Sequence, residues 1–244
     1  MPKFQEISAG GETKKAYMKA TAIIVAAGRS RRLPARRRKP YLMLGKMPIV
    51  IHSLYKLSTV RFIRNINLVV NKKDLKLAQR LIRKIKIKKN IKIIQGKGTR
   101  VASVYEGLKE VSKDSDYIIV HDAVRPFFKK ELLKDLIKAA KKYGASILAT
   151  PVKSTIKKVN KDYIVKETLD RNQLWEAQTP QVFRKDILLK AYKKLTTSKK
   201  KTTDDASLVE GLGVRVKIIP SCDENIKITT PVDLSLARIL LRRR

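Results

Sequence analysis

One pattern constrains this chain more than any other: short apolar runs alternate with amphipathic stretches long enough for three turns of helix. Thr21–Ala27 (TAIIVAA) is a continuous apolar run, as expected of a strand covered on both faces. Further strands are predicted at Asn67–Val70, Ile91–Ile94, Tyr117–Val120, Ala145–Thr150 and Val214–Ile219. Between them lie helical patterns. The first opens at Pro48 and carries Ile51, Leu54, Tyr55 and Leu57 at helical spacing. Others span Asp74–Ile85, Arg100–Val111, Glu131–Tyr143, Asp186–Leu195, Asp204–Gly211 and Pro231–Leu241. Thr203 is the expected N-cap of the Asp204 helix, with Asp204 and Asp205 in its first turn. Strands alternating with helices predict βαβ units: an α/β fold with a mostly parallel sheet and helices on both faces.

The rhythm breaks after Pro151. Thr155–Val159 and Tyr163–Glu167 are short strand patterns around Asn160–Lys161–Asp162, a turn sequence. This reads as an inserted β-hairpin, an arm over about 152–176. A two-stranded ribbon is marginal in water, so the arm must pack on its own domain or on a second copy of the chain. Residues 1–19 read as a polar leader expected to be disordered, and residues 20–244 as one domain.

Composition narrows the function. The one cysteine, Cys222, excludes an internal disulfide, and two histidines, His52 and His121, exclude a multi-histidine metal centre. No apolar run approaches the ~18 residues of a membrane span, and the first 20 residues lack a signal peptide's apolar stretch. These features predict a cytoplasmic protein with no membrane partner. The 57 basic against 21 acidic residues give a net charge of +36. That excess suggests polyanion partners, but lysine spread over almost every amphipathic segment favours its use as a general surface residue. No nucleic-acid-binding motif accompanies it and stacking aromatics are sparse, so no specific nucleic-acid partner is expected. One cluster stands apart: Arg29, Arg31, Arg32, Arg36, Arg37, Arg38 and Lys39, beside the Gly28 turn.

In open α/β sheets ligands bind beyond the carboxyl ends of the strands. After the first strand stand Ala26, Ala27 and Gly28, small residues that let backbone approach a phosphate, followed by guanidiniums. After the third stand Gly96 to Ser103, and after the fourth His121 and Asp122. A lone carboxylate there suits a Mg²⁺ that rides on substrate phosphates. The first loop is neither a P-loop nor a dinucleotide fingerprint. The three segments together point to a nucleotide-phosphate site.

The segments IIVAAGRSRRL, RKPYLMLGKMPIVIHSL, GKGTRVASVYEGL, IIVHDAVRPF, PVKSTIKKV, LDRNQLWEAQTPQVF, TDDASLVEGLG and ENIKITTPVDLSLA resemble the 2-C-methyl-D-erythritol 4-phosphate cytidylyltransferase family nearly end to end. The resemblance implies a Rossmann-like domain whose β-arm clasps a partner in a homodimer. It implies CTP and a sugar-alcohol phosphate as substrates, with Mg²⁺ or another divalent cation as cofactor. Nucleotide binding falls on Ala26, Ala27, Gly28, Gly96, Ser103 and Ala123, with Ser103 recognising the base. Metal binding falls on Asp122. The catalytic cations are Arg32, Lys39, Arg171 and Lys227, and sugar-phosphate recognition falls on Thr155, Arg171 and Thr179. The chain departs from the family pattern at Ser30, Arg38, Pro40 and Lys97. Ribitol-5-phosphate cytidylyltransferase is the alternative within the same chemistry, and a basic nucleic-acid-binding protein is the alternative of a different class. Arg125 reads as a structural partner of a carboxylate, His121 as a residue that orients its loop, and Trp175 as hairpin or interface packing.

Overall fold

The computed structural model describes residues 18–28, 38–195 and 202–243. Its frame is a seven-stranded sheet. The elements in chain order are β1 (Ala20–Val25), β2 (Met43–Leu44), β3 (Met47–Pro48), α1 (Ile49–Ser58), β4 (Ile63–Val70), α2 (Leu75–Arg83), β5 (Asn90–Gln95), α3 (Arg100–Lys109), β6 (Tyr117–Asp122) and α4 (Leu132–Tyr143). There follow β7 (Ala145–Pro151), β8 (Ile156–Val159), β9 (Val165–Leu169), β10 (Trp175–Arg184), α5 (Lys185–Leu195), α6 (Asp205–Glu210), β11 (Val216–Pro220) and α7 (Pro231–Arg242).

The sheet order is β11-β7-β10-β6-β1-β4-β5. All pairs are parallel except those of β10, which runs antiparallel to β6 and β7. From β1 the chain builds outward through β4 and β5, then returns to place β6 on the other side of β1. The order therefore reverses between β1 and β6, where diverging loops open a crevice.

Side-chain alternation along β1 divides the core into two layers. Ala22 and Ile24 join Leu54, Leu57, Ala78, Leu133 and Leu136 on the face covered by α1, α2 and α4. Ile23 joins Val104, Leu108, Leu188 and Val209 on the face covered by α3, α5 and α6. A third cluster, Leu44, Ile49, Phe127, Ile228 and Ala237, fastens α7 over the β2–β3 hairpin. Local signals set the helix ends. Thr99 caps α3 through Ala102 N–H, and Thr230 with Asp233 forms a capping box on α7 with Pro231 at its first position. Gly144 ends α4 at φ +98°, where a Cβ would meet Ile187 and Val214 below 3 Å.

The structure differs from the pattern reading in several places. Strand β4 begins at Ile63 rather than Asn67, because exposed Arg64 and half-buried Asn65 interrupt an otherwise buried run. The N-cap of α6 is Asp204, whose carboxylate accepts Ser207 N–H, not Thr203. The hairpin's second strand starts at Val165 rather than Tyr163, because Tyr163 sits in the turn at φ +62°. Trp175 belongs to the sheet, opposite Pro151 on β7, and not to the hairpin. Strand β10 escaped the pattern because Gln178, Thr179 and Gln181 are buried polar residues, and a proline argues against an inner strand. Pro180 is accommodated where the β10–β7 register shifts, between Ala177 and Gln181.

Candidate active site

The crevice between β1 and β6 is built from small residues first. Ala26 continues β1 through its N–H bond to Val69 O (2.7 Å), and Ala27 is buried beside it. Gly96, after β5, packs directly on them: a Cβ there would stand 2.6 Å from Ala27 Cβ and 2.8 Å from Ser103 Oγ. Only glycine permits this approach of the two loops. The Ser103 hydroxyl lies 2.8 Å from both Lys97 O and Thr99 O and accepts Lys97 N–H, so it ties the Gly96–Thr99 turn onto α3.

Asp122 ends β6 and is almost wholly buried. Its Oδ1 receives Arg100 Nε at 3.1 Å, its Oδ2 pairs with Lys227 Nζ at 2.6 Å, and Arg125 Nε stands 3.9 Å away. Burial acts to raise its pKa, but the Arg100, Lys227 and Arg125 charges outweigh it and hold the carboxyl well below the usual carboxylate range. Behind it, Asp122 N–H donates to Thr179 Oγ1 (3.0 Å), which lies 3.1 Å from His121 Nδ1. His121 Nε2 faces Arg125 O at 3.2 Å. A carbonyl only accepts, so Nε2 carries the proton and Nδ1 accepts from the threonine hydroxyl. Burial pushes the imidazole down to about 3, so it is neutral at physiological pH. Arg125 Nη1 donates to Asn225 O (2.7 Å), and Asn225 Nδ2 reaches Gln178 Oε1 and Thr179 O. One buried polar layer thus orients the Asp122 backbone, in keeping with the reading of Arg125 and His121 as structural.

A cavity of about 200 Å³ opens in front of this layer, lined by Ala26, Gly28, Lys39, Pro40, Arg100, Asp122, Lys227 and Thr229. A second, of about 510 Å³, shares Lys227 and Thr229 with it and extends past Arg125, Thr150, Glu176 and Gln178. Lys227 stands between the two. Among the sequence candidates, Ala26, Gly28, Lys39, Asp122 and Lys227 converge on the smaller cavity, with Ala27, Gly96 and Ser103 in the wall behind. Ala123 is fully buried, its N–H on Val25 O and its carbonyl on Ser53 Oγ, so its backbone already serves the fold. Thr179 lies beneath Asp122 and lines neither cavity. Thr155 and Arg171 are exposed at the foot of the arm, with Arg171 Nη1 on Lys153 O (2.9 Å), and line neither cavity. Arg32 lies outside the described residues. Sequence reasoning passed over Arg100 and Thr229. The arginine of GKGTR, at the start of the helix after a strand-end turn, was the available signal.

The described residues contain no cluster of three or more metal-ligating side chains. Asp122 is the lone carboxylate of the smaller cavity and is ringed by cations. Such a donor set does not make a cage, but it fits a hard cation that takes its remaining ligands from phosphate oxygens and water.

The 2-C-methyl-D-erythritol 4-phosphate cytidylyltransferase family model matches residues 20–243. A protein of that name from Alkaliphilus metalliredigens is 42% identical over 227 residues, covering 93% of this chain and 94% of its own length. Another from Bacillus cereus is 40% identical over 221 residues, covering 91% and 97%. The crystal structure of 4-diphosphocytidyl-2C-methyl-D-erythritol synthase from Anaerococcus prevotii superimposes with a TM-score of 0.83 at 35% identity, over 93% of this chain and 97% of that one. Motif, fold and the crevice at the strand reversal therefore agree, and the chain belongs to the 2-C-methyl-D-erythritol 4-phosphate cytidylyltransferase family of nucleotidyltransferases.

Proposed function

We infer that the crevice transfers the CMP moiety of CTP to 2-C-methyl-D-erythritol 4-phosphate, giving 4-diphosphocytidyl-2-C-methyl-D-erythritol and pyrophosphate. The observation that carries this reading is the convergence of Lys39, Arg100 and Lys227 on a small cavity whose one histidine neighbour, His121, is buried and neutral. The chemistry needs no base. A phosphomonoester has its second pKa at about 6, so the 4-phosphate arrives ionised. One of its oxygens attacks the α-phosphorus, the bond from that phosphorus to the bridging oxygen breaks, and pyrophosphate leaves with the electron pair. The protein's task is to hold the reactants in line and stabilise charge as it spreads over the phosphoryl oxygens.

Lys39 and Lys227 supply that charge, and Lys227, shared by the two cavities, stands where donor and acceptor phosphates meet. The Ala26–Gly28 loop admits the triphosphate, and the turn tied by Ser103 offers backbone groups to the cytosine edge. Asp122 would hold a divalent cation, which neutralises phosphate charge when bound.

The acceptor site is completed in trans. Both faces of the β8–β9 arm are solvent-exposed, with Tyr163 87% and Ile164 64% accessible. A homodimer in which the arm reaches the partner's larger cavity brings Thr155 and Arg171 to the sugar phosphate, where the Arg171 fork grips phosphate bidentately. The test is pyrophosphate release with Mg²⁺ and each nucleoside triphosphate, offering methylerythritol phosphate and ribitol 5-phosphate in parallel. Turnover is expected with CTP and methylerythritol phosphate. Equal use of all four triphosphates would overturn the cytidylyl assignment, and preference for ribitol phosphate would overturn the acceptor.

A further inference from the structure

The catalytic face of Asp122 is only half of a longer charged chain. Arg100 reaches Asp122 through Nε and, through Nη1, stands 2.7 Å from Oδ2 of Asp205. Asp205 is a fully buried carboxylate on α6, from the opposite side of the guanidinium. The second contact is a charge contact, with the N–H not aimed along the hydrogen-bond axis. Oδ1 of Asp205 is taken by the hydroxyl of Tyr192 on α5, itself buried and stacked parallel to Tyr105 of α3 at 6.1 Å. The start of α6 is held from a third side, where Gln181 Nε2 on β10 donates to Asp204 (2.8 Å). Burial acts to lower the Arg100 pKa, yet the two carboxylates outweigh it and raise it, so the cation is permanent.

We propose that Asp205 is a positioning residue for cytidylyl transfer: by holding one arm of the Arg100 guanidinium, it keeps Arg100 from closing as a bidentate fork on Asp122. The physical reason is the geometry of arginine. A guanidinium beside a lone carboxylate takes both oxygens through two parallel N–H bonds. Here Asp205 anchors Nη1, away from the Nε–Nη2 edge that would form the fork, and so sets the guanidinium plane in which only Nε hydrogen-bonds Oδ1 while Oδ2 faces Lys227 and the cavity. The same division keeps Arg100 from swinging to the triphosphate, where it would bind the ground state and the transition state alike and add nothing to turnover. Asp205 touches no substrate and acts through Arg100, while Tyr192 fixes Asp205. The proposal rests on the assignment of the crevice to nucleotidyl transfer.

The test compares the wild type with Asp205→Asn, Tyr192→Phe, Arg100→Gln and the double variant Asp205→Asn/Arg100→Gln. Each is measured for kcat, KM for CTP, and CTP-binding stoichiometry by calorimetry. Asp205→Asn should lower kcat by about 10-fold or more, the scale of lost partners behind a ligand group. KM for CTP should stay level or fall, because a negative charge has been removed, and one CTP should still bind per chain. In the Arg100→Gln background, Asp205→Asn should cost nothing further, because its effect passes through the arginine. A purely structural role would instead reduce stoichiometry or stability and leave the kcat of folded chains unchanged, which overturns the proposal. Losses that multiply in the double variant also overturn it. If Asp205→Asn does not fold, Tyr192→Phe decides. A fall in kcat of a few-fold at full stoichiometry supports the proposal, and wild-type kcat overturns it. A wild-type chain that neither binds CTP nor releases pyrophosphate overturns the functional reading and this proposal together, whereas failure of the variants alone leaves the functional reading standing.

Discussion

The crevice and the arm were made by opposite rules. At the crevice, charged groups are buried and mutually paired: Asp122 between Arg100 and Lys227, Asp205 between Arg100 and Tyr192, His121 bonded through both nitrogens. In the arm, apolar groups are exposed and unpaired with the body: Val159, Tyr163, Ile164 and Val165 face solvent. Buried charge is tolerated only when its geometry is satisfied within the chain, so the crevice is organised by one copy. Exposed apolar residues on a marginal ribbon are the reverse case: the body of this chain does not cover them, and the homodimer proposed above would. On that proposal, a site needing both regions is half rigid and half dependent on assembly.

That contrast can be broken by mutation, and the largest effect is expected in the crevice. Lys39→Ala should lower kcat and kcat/KM together by about 10²-fold or more, as for other lost transition-state donors. Steady-state kinetics with unchanged kcat would reduce Lys39 to surface charge. Next comes acid sensitivity, which is expected to be strong at the buried His121 of the crevice. His121 is held neutral down to about 3 in the folded chain, against about 6.5 when unfolded. The unfolded state therefore binds the extra proton first. Stability is full above about pH 6.5 and falls by up to ~1.4 kcal/mol per pH unit below it, or about 2 kcal/mol by pH 5. The lowered Asp122 pKa adds a further loss only below about pH 4. Urea midpoints of wild type and His121→Gln at pH 7 and pH 5 check this, since the variant's pH slope should be flatter.

The arm should answer differently. Arg171→Ala should raise KM for the sugar phosphate by roughly 10-fold or more while leaving KM for CTP near wild type, and Arg171→Lys should not restore it. Mixing Arg171→Ala with Lys39→Ala should return part of the activity once subunits exchange, because some mixed dimers carry one intact site. Verified mixed dimers that stay inactive would place both residues in one chain's site. The smallest effect belongs to the arm's tip. Tyr163→Ser should change the unfolding free energy of the isolated chain by no more than about 0.5 kcal/mol but shift the sedimentation profile toward monomer. A fully active monomer would dissolve the contrast between the two regions.

Legibility followed the same divide. The β1–α1–β4–α2–β5–α3–β6–α4–β7 progression was readable because its buried strands are aliphatic and its helices amphipathic. The loops bearing Gly28, Lys39, Gly96 and Asp122 followed as strand ends. Strand β10 was not readable, because Gln178, Thr179 and Gln181 are buried through hydrogen bonds rather than by being apolar. Arg100 was visible only as a helix-start residue, since its two carboxylate partners lie 22 and 105 positions away.

By itself, then, the sequence determined the α/β layering, the places where loops leave the sheet, the hairpin insertion and the family. Each is written in local periodicity, in turn chemistry, or in motifs a few residues long. The tertiary structure decided which of those loop residues share a cavity. It moved Ala123 and Thr179 into the supporting layer and left Thr155 and Arg171 on the arm, away from both cavities. It also joined Asp122 to Asp205 through one guanidinium. Those are relations between residues far apart in the chain, and only the closing of the sheet, with β10 inserted antiparallel beside β6, brings them within the few ångströms over which charges and hydrogen bonds act.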